Sequence, residues 1–253
     1  MKIDDIKKTK YGYNVYSGEL KVNIEISVFN EHKLKKDLVL TDKKWQEILK
    51  DNKREFIKRK SLLYLSRRRS TKEFISYLIK LGSEKELTKT LVKDYTNKGY
   101  LDDYLYAEAV IKKEKNRYGK NKIREILINK GINKEIIDSL LINHLDENLE
   151  EQIISACKNV KAKNYKDASN KLTRSFMNKG YELNEIKEYL HKHLDRNKFN
   201  EEETIKKEYL LALKRYQKKY EGAQLNLKIR LYLYNKGFNK TTIDKVLGEW
   251  LDV

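Results

Sequence analysis

Glycine recurs in this chain at a fixed period. Leu81-Gly82, Lys130-Gly131, Lys179-Gly180 and Lys236-Gly237 each close a similar segment, and the glycine intervals are 49, 49 and 57 residues. Such self-similarity marks stacked supersecondary units. The columns around the glycines carry the same message. Eight residues before each lies Phe74, Ile123, Leu172 or Ile229; four before, Leu78, Leu127, Phe176 or Leu233; three before, Ile79, Ile128, Met177 or Tyr234. All twelve are apolar and are read as one buried helical face. Nine and ten residues after the glycines come Leu91-Val92, Leu140-Leu141, Tyr189-Leu190 and Val246-Leu247, also apolar throughout. The glycines suit the left-handed position that ends a helix. Each module thus has a helix ending at the glycine, a second helix after it, and a third, such as 102–117, leading to the next module. The longer last interval is read as a longer connecting helix, Glu201 to Tyr220. A module of this size cannot bury its apolar face alone, and stacking buries it.

The first forty residues follow another period. Val22, Ile24, Ile26 and Val28 alternate with Lys21, Asn23, Glu25 and Ser27, as do Tyr11, Tyr13 and Val15, with the turn-like Ser17-Gly18 between the runs. Alternation of this kind predicts half-buried strands, and Leu38-Val39-Leu40 is read as a short third strand. Thr41-Asp42 reads as a helix start ahead of Trp45, Ile48 and Leu49. The fold expected is mostly α, with tandem three-helix repeats forming an elongated array behind a small N-terminal antiparallel β segment. The boundaries expected are a β-rich segment 1–41, a linking helix 42–56, and repeats 57–98, 99–147, 148–197 and 198–253.

Composition bears on what such an array binds. Hydrophobic residues make up 39% and charged residues 37% of 253 residues, and 56 Lys and Arg against 38 Asp and Glu leave a net charge of +18. That ratio suits a thin core, and the surplus favours a polyanionic partner, because each neutralised phosphate releases condensed counterion. A coding bias toward Lys, Ile and Asn is the competing source of the charge. Cys157 is alone, which leaves no disulfide framework and no thiolate zinc site. The start MKIDDIKKTKYGY has no apolar signal core, and no apolar run approaches the ~18 residues of a membrane span; the expectation is a cytoplasmic protein.

Signs of catalysis are missing. The ten glycines never form a phosphate-cradling loop. His32, His144, His191 and His193 read as surface residues, since His191 and His193 point to different faces of one helix. Glu201-Glu202-Glu203 complement a helix N-terminus. No cofactor, no metal site and no enzyme activity are expected.

The string Gly99-Tyr100-Leu101-Asp102-Asp103-Tyr104-Leu105-Tyr106-Ala107 resembles the GYLDD-x-x-YA signature that joins the first two modules of the RecX family. Leu65-Ser66-Arg67-Arg68-Arg69-Ser70, followed by Glu73, Leu78 and Gly82, is similar to that family's first module. Gly119-Lys120 followed by Ile123, Leu127, Lys130-Gly131-Ile132 and Ile136 is similar to its second. The strong match covers 57–142, and the third and fourth repeats keep the spacing without the signature residues. The signature has a structural reading: Gly99 closes one helix, Asp102 caps the next with Asp103 beside it, and Tyr100, Leu101 and Ala107 pack the joint. The resemblance implies a non-catalytic, monomeric regulator that lodges in the groove of the RecA–single-stranded DNA filament. There it would restrain filament growth, strand exchange and co-protease activity, and so regulate DNA repair, recombination and the SOS response.

The basic residues gather before each glycine-ended helix. Arg67, Arg68 and Arg69 lead the first. Lys112, Lys113, Lys115, Arg117, Lys120 and Lys122 surround the second; Lys158, Lys161, Lys163 and Lys166 precede the third; Lys214, Arg215, Lys218 and Lys219 precede the fourth. Arg68, Arg117 and Lys166 fall 49 residues apart, in step with the glycines. In a stacked array equivalent positions line one edge, so these runs are read as a basic ridge that contacts RecA or nucleic acid, the footprint a phosphate backbone needs. Tyr118 and Tyr216 lie within the runs, where stacking on bases competes with core packing. The alternatives are a helical-repeat adaptor that binds only protein, or a general nucleic-acid binder without a RecA role.

Overall fold

The computed structural model describes residues 1–142, 148–199 and 201–251; His144 and the second repeat's expected end at residue 147 lie outside them. Three strands form an antiparallel meander: β1 (Asp5–Lys8), β2 (Gly12–Ser17) and β3 (Leu20–Glu25). Val15 opposes Val22, Tyr13 opposes Ile24, and the turn at Gly18 joins β2 to β3. Val15 and Ile24 pack with Ile3, Val28, Leu34, Trp45 and Ile48 in one small core.

Two strand expectations are corrected. The alternating run breaks at Glu25, and Ile26–Glu31 is a short helix, α1. Ile24 and Val28, four apart, are buried, whereas Ile26 is exposed; a four-residue spacing serves one helical turn as well as two steps of a strand. Leu38-Val39-Leu40 forms only an isolated bridge, Lys2 to Val39, with backbone bonds from Ile3 to Leu38 and from Leu40 to Met1. The third strand is β1, whose single apolar residue, Ile6, shows no alternation.

Helix α2 (Asp42–Tyr64) begins where the sequence predicts, with Thr41 Oγ1 accepting from the Lys44 backbone N–H. It runs unbroken through residue 57, where a linking helix was expected to give way to the first repeat. No glycine interrupts that stretch, so nothing stops the helix. The modules follow as α3 (Thr71–Lys80) and α4 (Lys85–Asn97); α5 (Asp103–Glu114), α6 (Lys120–Asn129) and α7 (Lys134–Leu141); α8 (Leu149–Asn159), α9 (Tyr165–Asn178) and α10 (Leu183–His193); and α11 (Glu201–Tyr216), α12 (Gly222–Asn235) and α13 (Lys240–Leu251). The connecting helix α11 has 16 residues against 11 in α8, as the longer interval predicts. The chain divides into two compact units, residues 1–110 with 127–140, and 111–126 with 141–253, so that α5 and α6 contribute residues to both.

The columns eight and four residues before the glycines are fully buried or nearly so in all four repeats. The third column is not. Ile79, Ile128, Met177 and Tyr234 are 64%, 54%, 49% and 57% exposed. On a helix this position turns about 100° from the residue before it and about 140° from the one eight before the glycine, so it faces outward.

One joint occurs three times. The start of a glycine-ended helix meets the end of the corresponding helix in the next repeat. In the first unit Ser70 caps α3: its Oγ accepts from the Glu73 N–H at 3.2 Å and donates to the Lys130 carbonyl at 2.7 Å. Glu73 completes a capping box and takes the Lys130 ammonium at 2.6 Å. In the second unit Asn164 divides the same work. Its Oδ1 accepts from the Asp167 N–H and its Nδ2 donates to the Lys236 carbonyl. Also in the second unit, the Gly119 and Asn121 N–H groups bond the Lys179 and Gly180 carbonyls directly. That approach is closer: a Cβ on Gly180, at φ +87°, would meet the Lys122 backbone nitrogen at 2.3 Å.

This packing makes two predictions. Leu127→Ala opens a void in a fully buried site and should cost about 2–5 kcal/mol, whereas Ile128→Ala beside it should stay within about 0.5 kcal/mol, both read by urea unfolding. The second concerns acid. Burial acts to raise the Glu73 pKa, but the hydrogen bonds from Lys130 and from the Ser70 N–H outweigh it and hold the carboxyl below its ordinary value. A depressed carboxylate stabilises the fold above its unfolded pKa and loses that contribution as pH falls through the folded one. Wild type should therefore lose more stability than Glu73→Gln as pH falls from about 6 to about 3, and parallel losses would remove Glu73 from the acid response.

Candidate nucleic-acid interface

The basic runs fall on the short junctions that lead into α3, α6, α9 and α12, and on the helix turns beside them. Each junction ends at a capping position: Ser70, Gly119, Asn164 and Glu221. Because that position is bonded to the next repeat's helix end in the first three, it is held rigidly.

Register is corrected here. Arg68 and Arg117 lie two residues before their caps, but Lys166 lies two residues inside α9. Helix α9 has 14 residues where α3 and α6 have 10, so counting the same number back from the glycine stops one turn short of the junction. The residues in the register of Arg68 and Arg117 are Ala162, flanked by Lys161 and Lys163, and Lys219. Lys166 instead passes under Gly237, its Cβ 3.1 Å from where a glycine Cβ would be, with its ammonium over the Tyr234 ring.

Several of the expected cations are committed to the fold. The Arg69 guanidinium stacks on Tyr64 at 4.6 Å, and Tyr64 stacks on Tyr77 at 4.0 Å. Arg68 donates to the Leu105 carbonyl. Lys163 binds Glu208, which is buried and also accepts from the Tyr232 hydroxyl at 2.9 Å. Lys113 pairs with Glu114 and Lys122 with Glu125. Lys120 also has an interaction partner. Arg117 lies over Tyr118 and Arg215 over Tyr216. By contrast Arg67, Lys115, Lys161, Lys218 and Lys219 are exposed, with no carboxylate partner among the described residues. Every junction keeps at least one such cation. Tyr216 packs edge-on to Tyr232 at 6.2 Å against the fourth-repeat core, and Tyr118 is half-buried.

The signature string is occupied with capping. Gly99, at φ +70°, turns the chain out of α4. Asp102 Oδ1 accepts from the Leu105 N–H at 2.9 Å and so caps its own helix. Asp103 Oδ1 accepts from the Thr71 N–H at 2.8 Å, satisfying the first bare donor of α3. Leu101 and Ala107 are buried, but Tyr100 is not packed into the joint: it is 54% exposed, edge-on to Tyr95. Sequence reasoning missed Ser70 and Asn164, although a serine or asparagine one helix length before Gly82 and Gly180 was the available signal.

The chemistry that the exposed junction cations offer is attraction of anions. Cys157 is buried, and burial pushes its thiol pKa up against the opposing Lys198 charge, which leaves a poor nucleophile. His193 accepts or donates to Glu150 at 2.7 Å, beside Lys192. Among the described residues no three metal-capable side chains cluster, and no helix is long and apolar enough to cross a membrane.

No protein-family model and no curated protein sequence matches the chain. Solved structures do. The crystal structure of regulatory protein RecX is similar over 96% of this chain and 97% of that one, with 20% identity and a TM-score of 0.44. The crystal structure of RecX from Lactobacillus salivarius is similar over 57% of this chain and 98% of that one, with 22% identity and a TM-score of 0.50. At such identity the likeness is one of fold: over the 57% of this chain that the second structure covers, the fold is that of RecX.

Proposed function

We propose that the protein is a RecX-like regulator that binds single-stranded DNA through its junction cations and restrains RecA assembled on that DNA, without chemistry of its own. The observation that carries the reading is the recurrence of exposed, carboxylate-free cations at each repeat junction: Arg67, Lys115, Lys161, Lys218 and Lys219. Cations that serve the fold are paired or stacked; these are left to solvent, where release of phosphate counterions supplies the driving force. The RecX fold supports RecA as the protein partner. The setting is cytoplasmic and the acting species a monomer.

The experiment reverses Lys115, Lys161 and Lys219 to Glu together, one exposed cation from each of three junctions. A control reverses Lys35, Lys36 and Lys43, equally exposed but in the N-terminal segment. Both variants should fold, since surface changes cost little. Single-stranded DNA binding should weaken strongly in the junction variant, its salt slope flattening by about 0.7 for each phosphate no longer neutralised, and suppression of RecA's DNA-dependent ATPase should weaken with it. Equal losses in the two variants would show that only net charge matters. Intact DNA binding with lost suppression would separate the RecA contact from the DNA contact.

A further inference from the structure

We propose that the groove between α3 and α4 docks an acidic amphipathic helix presented by a protein partner. The groove holds about 540 Å³, within the range of small binding clefts. Its floor is aliphatic: Ile75, Ile79 and Val92. Ile79 is 64% exposed, so the floor is open to a partner. Lys85, Lys89 and Lys93 rise along one wall, four residues apart on α4. No carboxylate lines the groove. Glu86, on the same helix, reaches Lys89 at 3.2 Å as an exposed pair, and such pairs are worth little. An apolar floor beside a file of ammonium groups is complementary to a helix with apolar residues at i, i+3, i+4 and i+7 and carboxylates on its flank.

The lysine file is particular to this module. The three positions are occupied by Lys134, Asp138 and Ile142 after the second glycine, by Leu183, Lys187 and His191 after the third, and by Lys240, Asp244 and Gly248 after the fourth. The exposed apolar residue before the glycine is common to all four repeats, but only the first sets it beside three cations. Single-stranded nucleic acid fits less well, because the floor has no aromatic ring for a base to stack on. A second copy of the chain fits less well too, because it carries +18 of like charge.

The test uses a fluorescein-labelled designed helix of about 16 residues with leucines at i, i+3, i+4 and i+7 and glutamates beside them, and a counterpart with lysines in place of the glutamates. Anisotropy with the full chain should show the acidic peptide binding at least about tenfold tighter than the basic one. Ile79→Asp should abolish most of that binding while the melting temperature and single-stranded DNA affinity stay unchanged. The triple reversal Lys85→Glu, Lys89→Glu, Lys93→Glu, all on an exposed face, should invert the preference between the peptides. Absence of acidic-peptide binding at millimolar concentration overturns the proposal. So does binding that survives both variants, displacement of the peptide by single-stranded DNA with loss of DNA affinity in Ile79→Asp, or a concentration-dependent dimer that Ile79→Asp dissolves. Because DNA affinity is read in the same variants, this proposal stands or fails apart from the one above.

Discussion

The bonding of one helix's bare N–H groups to the next repeat's bare carbonyls is the constraint on which the repeats depend. An α-helix leaves donors unsatisfied at its start and acceptors unsatisfied at its end, with partial charges of opposite sign. Here the two ends supply each other. Ser70 uses one hydroxyl in both directions, Asn164 assigns its oxygen to its own helix and its nitrogen to the neighbour, and Gly119 brings backbone to backbone. The three solutions differ in what they tolerate. A side-chain cap keeps the helices a side chain apart; the Gly119–Gly180 joint leaves no room for a Cβ on either residue. The joint also explains why α9 can gain a turn over α6 without disturbing the repeat. What must meet are a cap and a helix-ending carbonyl, and the length between them is free.

That freedom is why some of the structure was legible in the sequence and some was not. The glycines and the apolar columns four and eight residues before them are fixed from the helix C-terminus, so counting from the glycine finds Leu78, Leu127, Phe176 and Leu233 in the core. The same count fails beyond the cap. Arg68, Arg117 and Lys166 share a spacing but not a place, because α9 starts a turn earlier relative to its glycine. Ile79, Ile128, Met177 and Tyr234 looked like core because they are apolar in every repeat, yet helix geometry turns them outward. In the N-terminal segment a period of two and a period of four coincide at Ile24 and Val28, and only tertiary packing chooses between strand and helix.

Charge in this chain serves two ends that composition cannot separate. Arg59 holds buried Glu25 through two hydrogen bonds, at 2.7 and 2.8 Å, and lies over the Tyr11 ring. Lys130 and Lys163 likewise tie repeats together through Glu73 and Glu208, and Arg69 stacks on Tyr64 within the first repeat. Removing one partner from such a site leaves a poorly solvated charge behind, so these cations act on stability before they act on any ligand. The junction cations without partners have no such duty. A coding bias toward lysine would scatter surplus charge over all exposed helix positions; it gives no reason for cations beside every capping residue.

The first repeat brings the two proposed surfaces onto opposite ends of one short helix. Arg67 leads into the N-terminus of α3, whose cap is tied to Lys130, while Ile75 at its middle and Ile79 near its C-terminus face the lysine file of α4. Ten residues separate these ends by roughly 15 Å, more than a Debye length at physiological salt. A phosphate at the junction and an acidic helix in the groove would therefore barely repel one another, and neither would need the other to leave. Because α3 is capped at both ends and buries Phe74 and Leu78 between them, it has no soft point at which to bend. Whatever binds one end finds the other end already in position, so a contact to nucleic acid and a contact to protein can be held at a fixed separation by a single rigid element.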